Sequence, residues 1–514
     1  MPELSGAPES DPGPRRDPTE GTILQPSHQL RPVEAADPGR WPRRPGPIAL
    51  GTLSLAALHV ALQGSVPGPW LPDEVAYLGG AETLTWGTPE LLRDLPYYRW
   101  GYSAALAPIE ALRLDPGHRF LGVTILNAVL LALVFPVIRE LLRRVAGASS
   151  REATVGALLA ALLPVVWAYG GFALSEPLLL LLVPAWLLTV HATAVRQAPT
   201  VGLVAATLGL YATHDRMVVS LVPVAVLLVV LARRRPEGRR RVAMAGAALA
   251  IGVAAVHLVD AWMVGVRWQG VATPEGANGG PVGVLTSPSS WDQLAGIGVG
   301  HLWQLLVSGG VALAMGLVLA LRPPPSAPDR WAAMATGRVS VALLAGLALA
   351  SAVFLTVAAT RPDHIVYGRY AEVALPPLVG LGVVGVLRGG RTVVAAAGAT
   401  VAALLVTATA LSTLPWTAAV RDHRVPVLHA PSLALLTDGT GPLLIGRATA
   451  VAVALATLVG AAAYLRAAPT AGLRRTGVVF LSLWLLLVGA LGLARSAEVL
   501  RDGRAAHERA VPRR

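Results

Sequence analysis

Four short polar motifs interrupt the apolar stretches of this 514-residue chain, and each carries residue types suited to acid–base or anion-binding chemistry. The first, Leu71-Pro72-Asp73-Glu74-Val75-Ala76-Tyr77, opens an amphipathic segment with two adjacent carboxylates; Val75, Leu78 and Leu84 can face lipid from it. One carboxylate can act as general base on a hydroxyl while its neighbour orients it or binds a metal, which makes Asp73 and Glu74 the candidate catalytic pair. The pattern is equally an ordinary helix start, because Asp caps and acids favour the first turn. The second, Ser175-Glu176-Pro177, reads either as a helix start or as a carboxylate aimed into a cavity.

The third, Thr213-His214-Asp215-Arg216, breaks a hydrophobic stretch. Polar residues there must line protein interior or water. Arg216 can neutralise a lipid phosphate, with His214 and Asp215 lining the cavity; the alternative is a tight turn. The fourth, Arg361-Pro362-Asp363-His364-Ile365-Val366-Tyr367-Gly368-Arg369-Tyr370, precedes Glu372 and Pro376-Pro377. Its Arg369, Tyr370 and His364 can grip a phosphate and a sugar, or anchor a helix at the membrane interface. Weaker signals are Asp422, His423 and His429 as metal ligands, and Trp291 with Asp292 as substrate contacts. Tyr97, Tyr98, Trp100 and Tyr102 read as a membrane-surface belt rather than a sugar platform. No Walker loop, GxSxG elbow or HExxH is found, and Gly279-Gly280 lacks a strand–helix context for a nucleotide.

These motifs need membrane helices to position them. The chain is 54% hydrophobic and 14% charged, with mean hydropathy +0.58, whereas soluble domains carry about 25% charged residues. The apolar residues fall in runs near the ~17–25 needed to span a bilayer core. About thirteen spans are expected: 47–63, 120–140, 153–171, 176–195, 201–213, 217–231, 242–264, 299–321, 339–360, 371–387, 393–414, 443–464 and 478–494. Residues 1–46, rich in Pro, Gly and Arg, read as a disordered cytoplasmic tail, and the first span as an uncleaved anchor. Residues 47–494 form the membrane domain, with outer loops 64–117, 265–298, 361–370 and 415–442. Residues 495–514 are an Arg-rich tail, whose basic character counts against an odd number of spans.

The net charge of +12 does not imply nucleic acid, because the arginines sit in clusters between spans as the positive-inside rule expects. The absence of cysteine excludes disulfides, thiolate metal sites and a cysteine nucleophile. Acids collect at one face: Asp73, Glu74, Glu82, Glu90, Asp94, Glu110, Asp115, Glu176 and Asp215 in the first half, with Asp363 and Glu372 later. Carboxylates avoiding mid-bilayer suit chemistry at the extracytoplasmic face better than passage through the membrane.

In their order and shared face the motifs resemble the GT-C superfamily of membrane glycosyltransferases, to which protein O-mannosyltransferases and the aminoarabinose transferases of lipid A belong. Asp73, Glu74 and Tyr77 match its Asp-Glu pair with a following aromatic; Glu176, Arg216, Arg369, Tyr370 and Pro376 match later features. The resemblance covers residues 47–390. It implies a polyprenyl-phosphate sugar donor, Asp73 as base, inversion at the anomeric carbon, and a possible divalent metal. It also implies a glycan, lipid or protein acceptor outside the plasma membrane. No Trp-Trp-Asp motif is present, which argues against oligosaccharide transfer to Asn. The expectation is an all-α GT-C-like bundle that transfers one sugar, mannose or arabinose. The rivals are a transporter or lipid-linked-sugar flippase, kept open by His59, His191, His257 and Asp260 in or near spans, and a non-catalytic cell-envelope scaffold.

Overall fold

The computed structural model describes residues 46–63, 71–86, 97–268, 280–357, 362–413, 433 and 445–466. Expectations for the N-terminal tail, the 478–494 span, the C-terminal tail, and Asp422, His423 and His429 lie outside these residues. The chain divides into two units, Met1–Pro47 and Ile48–Arg514, and the second holds the helical bundle.

Every regular element among the described residues is helical. In chain order these are α1 (Gly46–Gln63), α2 (Pro72–Trp86), α3 (Trp100–Ala111), α4 (Pro116–Ala146), α5 (Ser150–Ala161), α6 (Pro164–Ala168), α7 (Glu176–Arg196) and α8 (Val201–Thr213). They continue as α9 (Leu221–Arg234), α10 (Arg239–Met263), α11 (Gly280–Thr286), α12 (Pro288–Leu321), α13 (Arg330–Val357), α14 (Leu375–Arg388), α15 (Arg391–Thr413) and α16 (Ile445–Arg466). Nine helical segments among the described residues are long and apolar enough to cross a membrane. The pair His364–Tyr370 and Glu372–Arg388, bent by 42°, makes a tenth if counted as one broken span. The chain is thus an all-α, multi-pass membrane protein.

Local sequence explains the boundaries. Helix α4 starts with Asp115 accepting from the Gly117 and His118 amides and Pro116 in the first turn; it ends with Arg143, Arg144 and a left-handed Gly147. At Gly147 (φ +55°) a Cβ would also lie 1.9 Å from the Ser326 carbonyl. At that end Arg388 holds Glu152 at 3.1 Å and the Ala146 and Gly147 carbonyls at 3.1 and 3.2 Å, joining α4, α5 and α14.

Two expectations about spans need correction. The stretch 153–171 is two short helices, α5 and α6, separated at Leu162–Leu163. Pro164 supplies no amide to continue α5, and at ~1.5 Å per residue neither helix alone crosses ~30 Å. Helix α12 begins at Pro288, eleven residues before the expected 299, because Pro288 starts it within what reads as a polar loop. It breaks at Gly310 (φ 50°, ψ −142°), a conformation that glycine tolerates.

Among its described residues, the first connecting region also contains two helices. α2 and α3 pack together, and Arg119 of α4 ties both down through Glu110 at 2.6 Å and Glu82 at 2.9 Å.

Candidate active site

Helix α2 opens with Pro72, so Asp73 and Glu74 fall in its first turn, where exposed backbone amides favour negative charge. The two carboxylates then part. Glu74 is fully buried; its Oε2 accepts from the Leu71 amide at 2.9 Å and its Oε1 from the Ala173 amide at 2.9 Å. The first contact is the returning half of a capping box, and the second fastens α2 to the loop preceding α7. Glu74 therefore sets the position of Asp73.

Asp73 is 22% exposed and makes two polar contacts. Its Oδ2 accepts from Arg369 Nη1 at 3.0 Å and its Oδ1 from Tyr98 Oη at 2.8 Å. Arg369, on the short turn Gly368–Tyr370, also donates through Nε to Glu176 Oε1 in the first turn of α7. Arg369 and Glu176 are both buried. Residues 73, 176 and 369, on three distant stretches, thus form one ion cluster.

His214 and Arg216 approach from the break between α8 and α9. The His214 Nδ1 accepts from the Arg216 amide at 3.3 Å, and its ring stands 5.7 Å from Tyr370 and 6.4 Å from Tyr98. The Arg216 guanidinium lies over the Tyr370 ring and 4.5 Å from the centre of Phe354. It is only 8% exposed, yet its Nε and Nη1 have no hydrogen-bond partner among the described residues. A buried cation without a counter-ion is costly, and an anionic ligand is what relieves it.

The other expected residues sit around this centre. Tyr77 is buried, stacked on Tyr98 at 4.9 Å and edge-on to Tyr102 at 5.4 Å. Tyr370 donates to the Tyr367 hydroxyl at 3.2 Å. His364 is one ring further out, edge-on to Tyr367 at 6.1 Å, with Nδ1 3.2 Å from the Leu355 carbonyl. Asp215 lies outside the cluster, 61% exposed and paired with Arg99; the turn sends 214 and 216 inward and 215 outward. Trp291 is exposed and donates to the Leu285 carbonyl at 3.1 Å. The expected tyrosine belt is corrected: Tyr98 is on Asp73, and Tyr102 is buried with its hydroxyl 2.8 Å from Asn127. Interior polar partners drew these rings in.

The histidines and the Asp that kept a transporter in view have local partners. His59 stacks on Trp167 at 3.7 Å, His191 Nδ1 lies 3.3 Å from Thr336, and His257 lies 2.8 Å from Tyr211. Asp260 accepts from Tyr97 at 2.5 Å and pairs with Arg99 at 3.1 Å.

Sequence reasoning missed the support behind Arg369. Glu372 is fully buried and accepts from Gln304 Nε2 at 2.9 Å and Ser308 Oγ at 3.0 Å. Gln304 also packs so tightly against Gly368 that a Cβ there would meet its Nε2 at 1.8 Å. These partners are 68 and 64 residues away in sequence, so no local pattern announces them. Among the described residues, no group of three His, Asp or Glu is arranged to hold a metal.

No protein-family model matches this chain, and no curated protein sequence does. Its structure is similar to ArnT from Cupriavidus metallidurans, bound to undecaprenyl phosphate and in the apo state. Each alignment covers 88% of this chain and 77% of that one, at 15% identity and TM-score 0.45. It is also similar to arabinosyltransferase EmbB from Mycobacterium smegmatis, over 90% of this chain and 43% of that one, at 13% identity and TM-score 0.43. Identities this low and TM-scores below 0.5 leave function to be argued from the site itself.

Proposed function

We propose that this protein is a membrane glycosyltransferase that moves one sugar from a polyprenyl-phosphate donor to a hydroxyl of an extracytoplasmic acceptor. One observation carries the reading: an Asp–Arg–Glu cluster shares the Tyr370 ring with a buried guanidinium, Arg216, that has no acidic partner among the described residues. A carboxylate supplies a base, and an unneutralised buried cation supplies an anion site.

Asp73 accepts the proton of the acceptor hydroxyl as that oxygen bonds to the anomeric carbon. The bond from that carbon to the phosphate oxygen breaks, and its electron pair leaves on the polyprenyl phosphate. Attack opposite the leaving group inverts the anomeric carbon. Arg216 holds the phosphate and stabilises the charge it gains. Arg369 already faces two carboxylates, so its part is to hold Asp73 in place. The His214 and Tyr370 rings stand edge to face beside these groups. Mannose or arabinose is the proposed sugar; the acceptor is a glycan, lipid or protein of the cell envelope. The active face is extracytoplasmic and the N-terminus cytoplasmic, in keeping with the arginine clusters between spans.

The test is turnover of radiolabelled polyprenyl-phosphate mannose and polyprenyl-phosphate arabinose in membranes with and without the protein. Protein-dependent transfer of label supports the reading, and its absence with both donors counts against it.

A second reading, a transporter, has one observation in its favour: buried Glu372 sits at a broken helix pair facing the Gly310 break in α12. Protein-dependent movement of a labelled polyprenyl-phosphate sugar across vesicles, unaffected by Asp73→Asn, would favour it.

A further inference from the structure

Tyr97, Tyr98 and Arg99 are consecutive, and each is held by side chains distant in sequence. Tyr97 Oη donates to Asp260 Oδ1 of α10 at 2.5 Å. Arg99 pairs with Asp215, reaches Asp260 at 3.1 Å, and donates through Nη2 to the Tyr211 hydroxyl of α8 at 3.1 Å. Burial works against the Arg99 charge, but Asp215 and Asp260 outweigh it and hold the guanidinium above its ordinary value. Just beyond, Gly101 lies so close to the end of α8 that a Cβ would meet the Ala212 carbonyl at 2.7 Å.

With both neighbours anchored, the backbone at Tyr98 is held beside Asp73. Its ring stacks on Tyr77 and its hydroxyl donates to Asp73. Burial, reinforced by the Asp73 charge, pushes the Tyr98 phenol up, so it stays a proton donor at physiological pH. Asp73 therefore has one oxygen on a guanidinium and the other on a hydroxyl. A hydroxyl donating to a carboxylate at 2.8 Å is the arrangement an acceptor hydroxyl adopts before losing its proton.

We propose that Tyr98 holds the acceptor's place on Asp73 and keeps water off that carboxylate until an acceptor displaces it, so that the donor is transferred rather than hydrolysed. This rests on Asp73 being the base, as proposed above. The reaction it suppresses is hydrolysis of the donor. A water oxygen bonds to the anomeric carbon and its proton passes to Asp73. The bond from carbon to phosphate oxygen breaks, and its electron pair leaves on the lipid, giving free sugar and polyprenyl phosphate. An ordered hydroxyl held by a charged acceptor excludes a competing water by a factor of roughly ten to a hundred.

The experiment measures, in native membranes, the ratio of free sugar to acceptor-linked sugar produced from radiolabelled polyprenyl-phosphate mannose and polyprenyl-phosphate arabinose. Tyr98→Phe is expected to raise that ratio about tenfold or more over wild type. Tyr97→Phe, which loosens the anchor without touching Asp73, is expected to move it the same way by less. A purely structural role for Tyr98 lowers both products together and leaves the ratio fixed. An unchanged ratio in both variants, with wild type transferring sugar, overturns this proposal and spares the reading of the site. If wild type consumes neither donor, the reading falls and this inference with it.

Discussion

Arg216→Met is expected to leave the ligand-free protein at least nearly as stable as wild type while sharply lowering its turnover. Arg216 is 8% exposed, with two guanidinium nitrogens unpartnered among the described residues and the Tyr370 and Phe354 rings as neighbours. Replacing buried ions by apolar residues of similar volume gains about 1–4 kcal/mol in known cases. The lost ring contacts give back about 2 kcal/mol when desolvated. The difference runs from a loss of about 1 kcal/mol to a gain of about 2 kcal/mol, or a few degrees in Tm at most. Turnover should fall roughly 10²–10³-fold, as when one preorganised charge-stabilising donor is removed. The assay is thermal unfolding in detergent, followed by tryptophan fluorescence, with and without undecaprenyl phosphate. Wild type should gain stability from the lipid because ligand binds only the folded state, and Arg216→Met should not. A variant destabilised by more than about 2 kcal/mol would contradict a site preorganised at the expense of stability, as would one that the lipid still stabilises.

Arg369→Met strands Asp73 and buried Glu176, so it should cost about 3–5 kcal/mol; adding Glu176→Gln should recover part of that, as read by the same unfolding assay. At the opposite end, burial opposes the Glu152 charge, but bonds from Arg388 and the Ser149 cap outweigh it and hold its carboxyl below the ordinary value. The stability it contributes is therefore complete above the usual glutamate range and fades as pH falls through the lowered native value. Glu152→Gln should flatten that acid limb in a Tm-against-pH series, and an unchanged limb would refute the contribution.

Much of the site is legible because its acids sit at helix starts. Pro72 before Asp73-Glu74, and Pro177 after Glu176, mark first turns at the mouths of helices, and the membrane pattern confines such residues to one face. That logic cannot separate Asp73 from Glu74, since their difference is which one meets the Ala173 amide 99 residues away. Tyr98 is hidden for a related reason: an aromatic near a span reads as an interfacial anchor, and only tertiary packing reveals Asp73 beneath it. Hydropathy likewise carries one run through 153–171, where a single proline divides the helix. The Glu372–Gln304 contact behind Arg369 joins two spans and leaves no local trace.

Asp73 is proposed as the group that takes the acceptor's proton, and Asp73→Asn tests that role most directly. The variant should unfold at nearly the wild-type temperature and still gain stability from undecaprenyl phosphate. Its transfer of labelled sugar should drop by about 10²–10⁴-fold, the span of general-base contributions. Transfer at near wild-type rate by a folded Asp73→Asn protein would contradict the account.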